Sequence, residues 1–201
     1  TQSTFFRCLH DEVPEGPRVV ELRHRWYDRY KGKGLRAKVL VRDDNEIVGL
    51  CQYIPIENSH LVGEGLFAIL CIWVHGYEHL VGNQQGRGYG KFILNCIEED
   101  ARGSGGKGIA AWGMDFQYWN PVSFYEHMGY ARVETRGPVV LVWKPFAKDA
   151  KPPALIRPNR MPSKQAGKTR VTVLVNGWCG GGCGQCISAR EAVEGLEETV
   201  V

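Results

Sequence analysis

The sequence predicts an α/β domain (an α+β mixed sheet) over residues 1–147. An apolar run at residues 66–74, which contains FAILCIWV, is typical of a central strand buried on both faces. Segments with strand and helical periodicity alternate after this run, and strand-like hairpins stand before and after it. This order of elements is characteristic of a mixed sheet with helices packed against it.

Apolar spacing and turn residues define the first elements. Residues 5–9 are predicted to form a short strand. Apolar residues then recur at helical spacing and predict a first helix: Val19, Leu22, Trp26 and Tyr30. The runs 38–42 and 46–53 are apolar, and the Asp-Asp-Asn turn between them predicts a hairpin.

The elements after the central strand follow the same reasoning. A polar loop is expected at 75–84, followed by a helix opened by Gly88 with four apolar residues on one face: Phe92, Ile93, Cys96 and Ile97. Residues 109–112 are predicted to form a strand and residues 121–127 a short helix. The runs 131–135 and 139–143 predict a second hairpin.

The composition changes after the predicted domain. Residues 148–170 are rich in proline and basic side chains and are interpreted as a solvated linker. A phosphate- or RNA-contacting arm is the alternative, which the lack of interleaved aromatic residues disfavours. Residues 171–201 form a cysteine-containing segment, with a strand predicted at 171–175 and a helix at about 188–198.

Charge and hydropathy exclude several classes of protein. The net charge of +3 is too small to predict a nucleic-acid partner. No apolar run reaches the roughly 18 residues that a membrane span requires, and no signal peptide precedes the first elements. We therefore expect a cytoplasmic protein that does not enter membranes.

The glycine-rich stretch QGRGYGK at 85–91 is the most informative segment of the sequence. It joins a buried strand to a helix, whose first N–H groups have no intrahelical partner and attract phosphate oxygens. Arg87 and Lys91 add positive charge. The stretch lacks the ending of a nucleotide-triphosphate loop and the spacing of a dinucleotide loop. By itself it indicates either a phosphate site or only a tight turn.

Two motifs resemble those of the GNAT superfamily of N-acetyltransferases. The stretch 85–90 matches the family signature of Gln or Arg, two residues, Gly, one residue, then Gly or Ala. The segment 124–130, FYEHMGY, is similar to the family pattern of Tyr, three residues, Gly and an aromatic residue, with Tyr125 as the tyrosine. The resemblance covers residues 3–147 and implies the GNAT acyl-CoA N-acyltransferase fold, here with a small C-terminal strand–loop–helix extension.

The resemblance also implies that acetyl-CoA is the cosubstrate and that a primary amine, as yet unknown, attacks it directly in a ternary complex. Backbone groups of the central strand would hold the pantetheine arm, loop amides would hold the pyrophosphate, and Tyr125 would lie near the CoA sulfur. The residues implied in cofactor binding are Ile72, Val74, Gln85, Gly86, Arg87, Gly88, Gly90, Lys91 and Asn120.

The chemistry of amine acetylation requires a base and an acid. A lysine-like amine has a pKa near 10.4, so it must lose a proton before it attacks. Glu64, just before the central strand, is the predicted base, and His75, just after it, is the alternative. Backbone N–H groups near 72–74 would stabilise the oxyanion, and the phenol of Tyr125 would protonate the departing thiolate.

The segment 176–186, NGWCGGGCGQC, contains Cys179, Cys183 and Cys186. A thioredoxin-like interpretation fits the strand–Trp–Cys–helix order, and the chain is similar to the YoaP-like group of acetyltransferases, which has such an extension. A zinc or iron–sulfur site, a radical S-adenosylmethionine cluster motif and an inert glycine-rich tail are the alternatives. A non-catalytic acyl-CoA-binding sensor of metal or redox state is accordingly the alternative function.

Overall fold

The computed structural model describes residues 5–6, 16–157, 167, 172–173 and 176–194. The described strands are β1 (Arg36–Val41), β2 (Ile47–Pro55), β3 (Leu61–Val62), β4 (Phe67–Val74), β5 (Gly108–Met114), β6 (Ala131–Arg136), β7 (Val139–Pro145) and β8 (Ala154–Leu155). The described α-helices are α1 (Pro17–Tyr30), α2 (Tyr89–Gly103), α3 (Val122–His127) and α4 (Gly180–Glu191). Within these residues, no helix is both long and apolar enough to cross a membrane.

The main sheet is mixed and has six strands in the order β1-β2-β4-β5-β7-β6. Strands β4 and β5 are parallel, whereas the remaining neighbours are antiparallel. The α2 helix connects the two parallel strands, as a crossover between parallel strands requires. The predicted α/β mixed sheet, its central strand and its two flanking hairpins are confirmed.

The two faces of the sheet carry different layers. Cys51 and Tyr53 of β2 belong to a buried cluster that includes side chains of α2 and α3, and we call this side the α2 face. Because side chains alternate along a strand, Gln52 points to the opposite side. There it donates a hydrogen bond to the carbonyl of Trp178, as does Arg23 of α1, so we call this side the α1 face.

A hydrogen-bonded carboxylate fixes α2 to the sheet. Asp100 accepts bonds from the hydroxyl of Tyr53 at 2.7 Å, from Arg36 at 2.6 Å and from Lys38 at 3.2 Å. Burial acts to raise the pKa of Asp100, but these bonds outweigh it and the pKa is lowered. The crossover helix is thereby held against β1 and β2, and its N-terminus has a fixed place relative to β4.

Two predictions about apolar segments were wrong. Phe5 and Phe6 are helical rather than extended, and their rings pack against Tyr27 of α1; residues 7–9 of the predicted strand lie outside the described residues. Phe92, predicted to lie on the buried face of α2, is 58% exposed. The buried stripe of that helix is centred on Ile93 and Ile97, and Phe92 lies beyond its edge.

Part of the predicted linker packs against the domain. Strand β8 pairs with β3, with Leu61 opposite Leu155, and the N–H of Leu155 donates to Glu134 at 2.8 Å. Ala150 packs against the smaller apolar cluster of the α1 face. Ala150 and Leu155 therefore pack against the domain, while most side chains of residues 148–157 are exposed; residues 158–166 and 168–170 lie outside the described residues.

The C-terminal helix begins earlier than predicted. It starts at Gly180 rather than near Ser188, so Cys183 and Cys186 lie in a helix rather than in a loop. Glycine is a poor helix former, but this helix packs against α1: a Cβ on Gly184 would be in ordinary contact with Val19, at 3.9 Å. The predicted strand at 171–175 and the helix end at 195–198 lie mainly outside the described residues.

Candidate functional site

Strands β4 and β5 separate and leave a gap in the middle of the sheet. They pair only at Phe67 with Ile109 and Ala68 with Ala110. Beyond these pairs β4 stays with β2 up to Val74, and β5 stays with β7 up to Met114. The backbone of β4 that faces β5 beyond Ala68 is consequently not used by sheet pairing.

The predicted pantetheine-contacting residues line this gap. Ile72 and Val74 are half-buried, in contrast to the fully buried first half of β4. The register between β2 and β4 shifts by one residue at Leu70, which is a β-bulge. A bulge changes the direction of the backbone and side chains that follow it. Ile72 consequently points towards the α2 face, where it packs against the buried cluster that includes side chains of α2 and α3, which we call the main cluster.

The predicted phosphate loop lies at the N-terminus of α2. Gly86 and Gly88 have φ values of 73° and 78°, a left-handed conformation that favours glycine. A Cβ on either residue would have nothing within 4 Å, so the backbone there is open to a ligand. Arg87 and Lys91 are exposed beside it, and the first turn of α2 has no acidic residue. The arrangement suits an anion.

Gln85 differs from the other residues of the signature. Its backbone N–H donates to Asn83 Oδ1 at 2.9 Å, so this amide already has a partner. Its side chain lies directly over Gly76, where a Cβ would overlap Gln85 Nε2. Gln85 therefore packs the loop against the chain just after β4, whereas the loop from Gly86 to Gly90 faces open space or the ring of Phe124.

Tyr125 lies on α3 beneath the gap and is 1% exposed. Burial raises the pKa of its phenol well above the ordinary value, and the neighbouring thiols of Cys51 and Cys71 raise it further. The phenol is therefore protonated at neutral pH and can donate a hydrogen bond.

Asn120, predicted to contact the cofactor, holds Tyr125 in place. Its Oδ1 accepts the phenolic O–H at 3.2 Å, and its Nδ2 donates to the carbonyl of Trp112 at 2.7 Å. Its φ of 46° is left-handed, a conformation that asparagine tolerates better than most residues. Asn120 thus connects the end of β5 to the hydroxyl group of the predicted acid.

The two candidate bases lie at opposite ends of β4. Glu64 is exposed in the turn before β4, beside Lys107 and at the end where β4 and β5 are still paired. The structure therefore does not bring Glu64 to the gap. His75 is fully buried directly after β4, and its Nε2 lies 2.8 Å from the carbonyl of His79.

A group of buried and half-buried polar side chains faces the C-terminal segment on the α1 face. Arg23 Nη2 and Gln52 Nε2 each lie 3.3 Å from the carbonyl oxygen of Trp178. The ring of His60 stacks on Trp178 with centroids 5.0 Å apart. Burial lowers the pKa of His60 to about 4, so its imidazole is neutral at physiological pH.

Sequence reasoning missed Arg23, Gln52 and His60. Arg23 alone carried a signal, because it follows Val19 by four residues and interrupts the apolar stripe of the predicted helix. Gln52 lies within an otherwise apolar strand, and His60 lies in a connection. Their proximity results from tertiary packing.

The three C-terminal cysteines are not grouped as metal ligands in the described part of the chain. Cys179 is the N-cap residue of α4, Cys183 is buried inside the helix, and Cys186 follows one turn later. Throughout the part of the chain that the structure describes, no three His, Cys, Asp or Glu side chains are grouped to hold a metal ion. The predicted zinc or iron–sulfur site therefore has no support from the geometry.

The chain is similar to members of one known protein family. The family described as "Acetyltransferase (GNAT) family" matches residues 4–130. A GNAT-family protein from Desulfovibrio desulfuricans is 20% identical, with 65% of this chain and 83% of that chain covered and a TM-score of 0.49. A ribosomal-protein-alanine N-acetyltransferase from Brucella melitensis is 17% identical, with 63% and 78% covered and a TM-score of 0.48. A spermidine N-acetyltransferase chimera that includes Vibrio cholerae sequence is also 17% identical, with 63% and 76% covered and a TM-score of 0.47. A search of curated proteins gave no significant match.

Proposed function

Because the chain belongs to the GNAT family of acetyltransferases, we propose that it transfers the acetyl group of acetyl-CoA to a primary amine by direct attack in a ternary complex. The gap between β4 and β5, which opens beside the glycine loop of α2, is the observation that carries this proposal. An extended thioester can lie in such a gap with its diphosphate at the helix N-terminus. The transferase would occupy residues 1–147 and would act in the cytoplasm.

The diphosphate of CoA would bind at the amides of Gly86 to Gly90. The left-handed glycines and the open space around them support this assignment. Lys91 and Arg87 would contribute positive charge at the rim. Gln85 would shape the loop rather than donate its amide, since Asn83 already accepts that bond. Ile72 and Val74 would offer backbone groups to the pantetheine arm.

The attack on the thioester would create an oxyanion and then a thiolate. Backbone N–H groups of β4 beyond the bulge would stabilise the oxyanion, because pairing with β5 does not use them. The thiolate would take the proton of the Tyr125 hydroxyl, which lies on α3. Asn120 would orient that hydroxyl through the bond at 3.2 Å.

His75 is the better placed of the two candidate bases. A carbonyl oxygen can only accept a hydrogen bond, so the contact with His79 assigns the proton of the neutral ring to Nε2. His75 also lies directly after β4, at the end where β4 and β5 have separated. Glu64 would be too far along β4 to take the amine proton.

Calorimetry with CoA and a thiol-release assay with acetyl-CoA across an amine panel test the proposal. We expect CoA binding, and thiol release that depends on the amine. Lys91→Gln is expected to weaken CoA binding about fivefold, because it removes a charge beside the diphosphate. Lys148→Gln makes the same change on an exposed residue after the last strand of the sheet and is expected to bind normally. A folded protein that takes up no CoA would refute the proposal.

A further inference from the structure

We propose that the acceptor binds on the α1 face and carries a carboxylate that pairs with Arg23. This inference rests on the proposed acetyltransferase function and specifies its substrate class: an aromatic amino acid or a similar carboxylated amine. Arg23 would be an acceptor-binding residue, and the segment at Trp178 would form one wall of the acceptor site.

Arg23 is a buried cation whose hydrogen bonding is incomplete. It is 2% exposed, and its Nη2 donates to the carbonyls of Phe5 at 2.6 Å and Trp178 at 3.3 Å. Its Nε and Nη1 have no hydrogen-bond partner among the described residues. A buried charge without an anionic partner is costly, and a ligand carboxylate would supply both the missing charge and the missing acceptors.

Gln52 adds a second unsatisfied group at the same place. It is 1% exposed, and its Oε1 has no partner within the described chain, while its Nε2 donates to the carbonyl that Arg23 also contacts. Because both side chains bond one oxygen atom, their ends lie close together. An unsatisfied cation beside an unsatisfied acceptor suits a ligand with a carboxylate and an N–H donor.

This polar group lies next to the gap where the thioester would bind. Gln52 is the register partner of Cys71, and Cys71 immediately precedes Ile72 at the gap. The α2 face of the gap is filled by the main cluster, which includes Tyr125 and side chains of α2. An amine that reached the thioester from the α1 face would meet Arg23 and Gln52, which are 2% and 1% exposed beside Trp178.

An aromatic cleft shares Trp178 with this polar group, although Arg23 and Gln52 do not line it, and we assign the rest of the acceptor to this cleft. Its volume is about 360 Å³, within the size range of small-molecule sites. Its walls include Trp26, Tyr30 and Trp178, and its rim includes Arg25 and Arg29. The Trp26 ring lies 5.2 Å from that of Tyr30 and 6.3 Å from that of Trp178. Such walls favour an aromatic body, and the basic rim disfavours a polyamine.

Matched ligands test the inference before any mutation is made. Phenylalanine and phenylalaninamide differ only at the carboxyl group, and calorimetry in the presence of CoA measures how tightly each one binds. We expect phenylalanine to bind at least tenfold more tightly, and the same preference in kcat/KM for acetylation. The amide has the more readily deprotonated amine, so intrinsic reactivity cannot produce this preference. Equal binding of the two ligands would overturn the inference.

Two variants locate the preference at Arg23. Arg23→Met removes the guanidinium but keeps an unbranched apolar stem. We expect this variant to bind phenylalanine and phenylalaninamide about equally, while its KM for acetyl-CoA changes less than twofold. Arg23→Lys keeps the charge and is expected to retain part of the preference. A full preference in Arg23→Met would refute the role of Arg23. If that variant does not fold, the wild-type ligand comparison still decides the inference.

The two proposals fail in different ways. If phenylalanine binds preferentially but no amine releases thiol from acetyl-CoA, the acetyltransferase proposal fails while the carboxylate site stands. If amines are acetylated equally well whether or not they carry a carboxylate, the acetyltransferase proposal stands and the acceptor inference fails.

Discussion

Burial decides the chemistry of single residues in this protein. Burial raises the pKa of the Tyr125 phenol and lowers the pKa of the His60 imidazole, because a low-dielectric surrounding disfavours the charged form of each. Both side chains are therefore neutral at physiological pH. The first can donate a hydrogen bond, and the second can stack on Trp178 without a counter-ion.

Replacing Tyr125 by Phe is expected to lower turnover by about a hundredfold, the contribution typical of a general acid. The affinity for acetyl-CoA is expected to change less than twofold, because the ring and its packing remain. Steady-state thiol release and calorimetry measure the two quantities. Tyr130→Phe is the matched control, since its ring is buried in the same cluster 5.5 Å from that of Tyr125. Normal turnover in Tyr125→Phe would exclude the hydroxyl from the reaction.

The lowered pKa of His60 predicts that the stability of the protein depends on pH. The pKa of His60 is lowered from 6.5 to about 4 in the folded protein, so between these values the unfolded chain binds a proton that the folded chain does not. The free energy of unfolding is expected to be highest above pH 6.5 and to fall by roughly 3 kcal/mol as the pH drops to 4. Urea unfolding at pH 7.0 and 4.5 measures this loss.

The variant His60→Phe keeps a ring for stacking on Trp178 and is expected to lose less stability over that pH range than the wild type. His127→Gln removes an exposed imidazole and is expected to retain the wild-type pH dependence. Equal losses in the wild type and in His60→Phe would assign the pH dependence to other groups.

Close backbone contacts fix how the elements meet at the site. A Cβ on Gly113 of β5 would lie 2.9 Å from the Cα of Val122 and 3.1 Å from the carbonyl oxygen of Asn120. The end of β5 therefore touches the start of α3, the helix that carries Tyr125. On the other side of α3, a Cβ on Gly90 of α2 would meet the ring of Phe124 at 3.3 Å. Glycines at these two positions set the spacing of three elements.

Gly113→Ala is expected to destabilise the fold by about 1–3 kcal/mol, because the added methyl group overlaps backbone atoms that cannot move independently. Turnover is expected to fall as well, since α3 and its tyrosine would shift. Gly103→Ala is the control: its Cβ would meet nothing within 4 Å at the end of α2, and it is expected to be neutral or slightly stabilising. Denaturant unfolding compares the two variants, and equal stabilities would contradict the close contact.

At the scale of the whole molecule, the C-terminal segment is part of the packed structure. The carbonyl of Trp178 accepts bonds from α1 and β2, and its ring stacks on His60. A Cβ on Gly177 would lie 2.5 Å from the side chain of Trp26, so that turn is tightly packed. The segment thus contacts the helix and the strand that border the proposed acceptor site.

Trp178→Ala is expected to lower stability by about 1–3 kcal/mol, because it removes a half-buried aromatic ring while leaving the backbone carbonyl in place. Thermal unfolding measures the loss, and limited proteolysis is expected to cleave residues 176–194 faster. Tyr118→Ala removes a ring that is 95% exposed and is expected to leave both measurements unchanged. Identical proteolysis of Trp178→Ala and the wild type would show that the ring does not hold the segment.

The sequence by itself determined the sheet, its central strand, the glycine loop and Tyr125. These features depend on local properties: apolar periodicity, the left-handed freedom of glycine, and two motifs whose order and spacing match one family. Loop positions such as Gly86 and Gly88 were predictable because their conformation is decided within a few residues. The same holds for the first hairpin, whose turn places Asn45 at a φ of 68°.

Only the tertiary structure decided the width of the gap, the partner of Asn120 and the place of Glu64. Each depends on how far two segments distant in sequence separate or approach, and no local spacing encodes such a distance. The same reason explains α4, since packing against α1 rather than helix propensity makes a glycine-rich segment helical. Arg23, Gln52 and Trp178 likewise meet only because three separate elements share one face of the sheet.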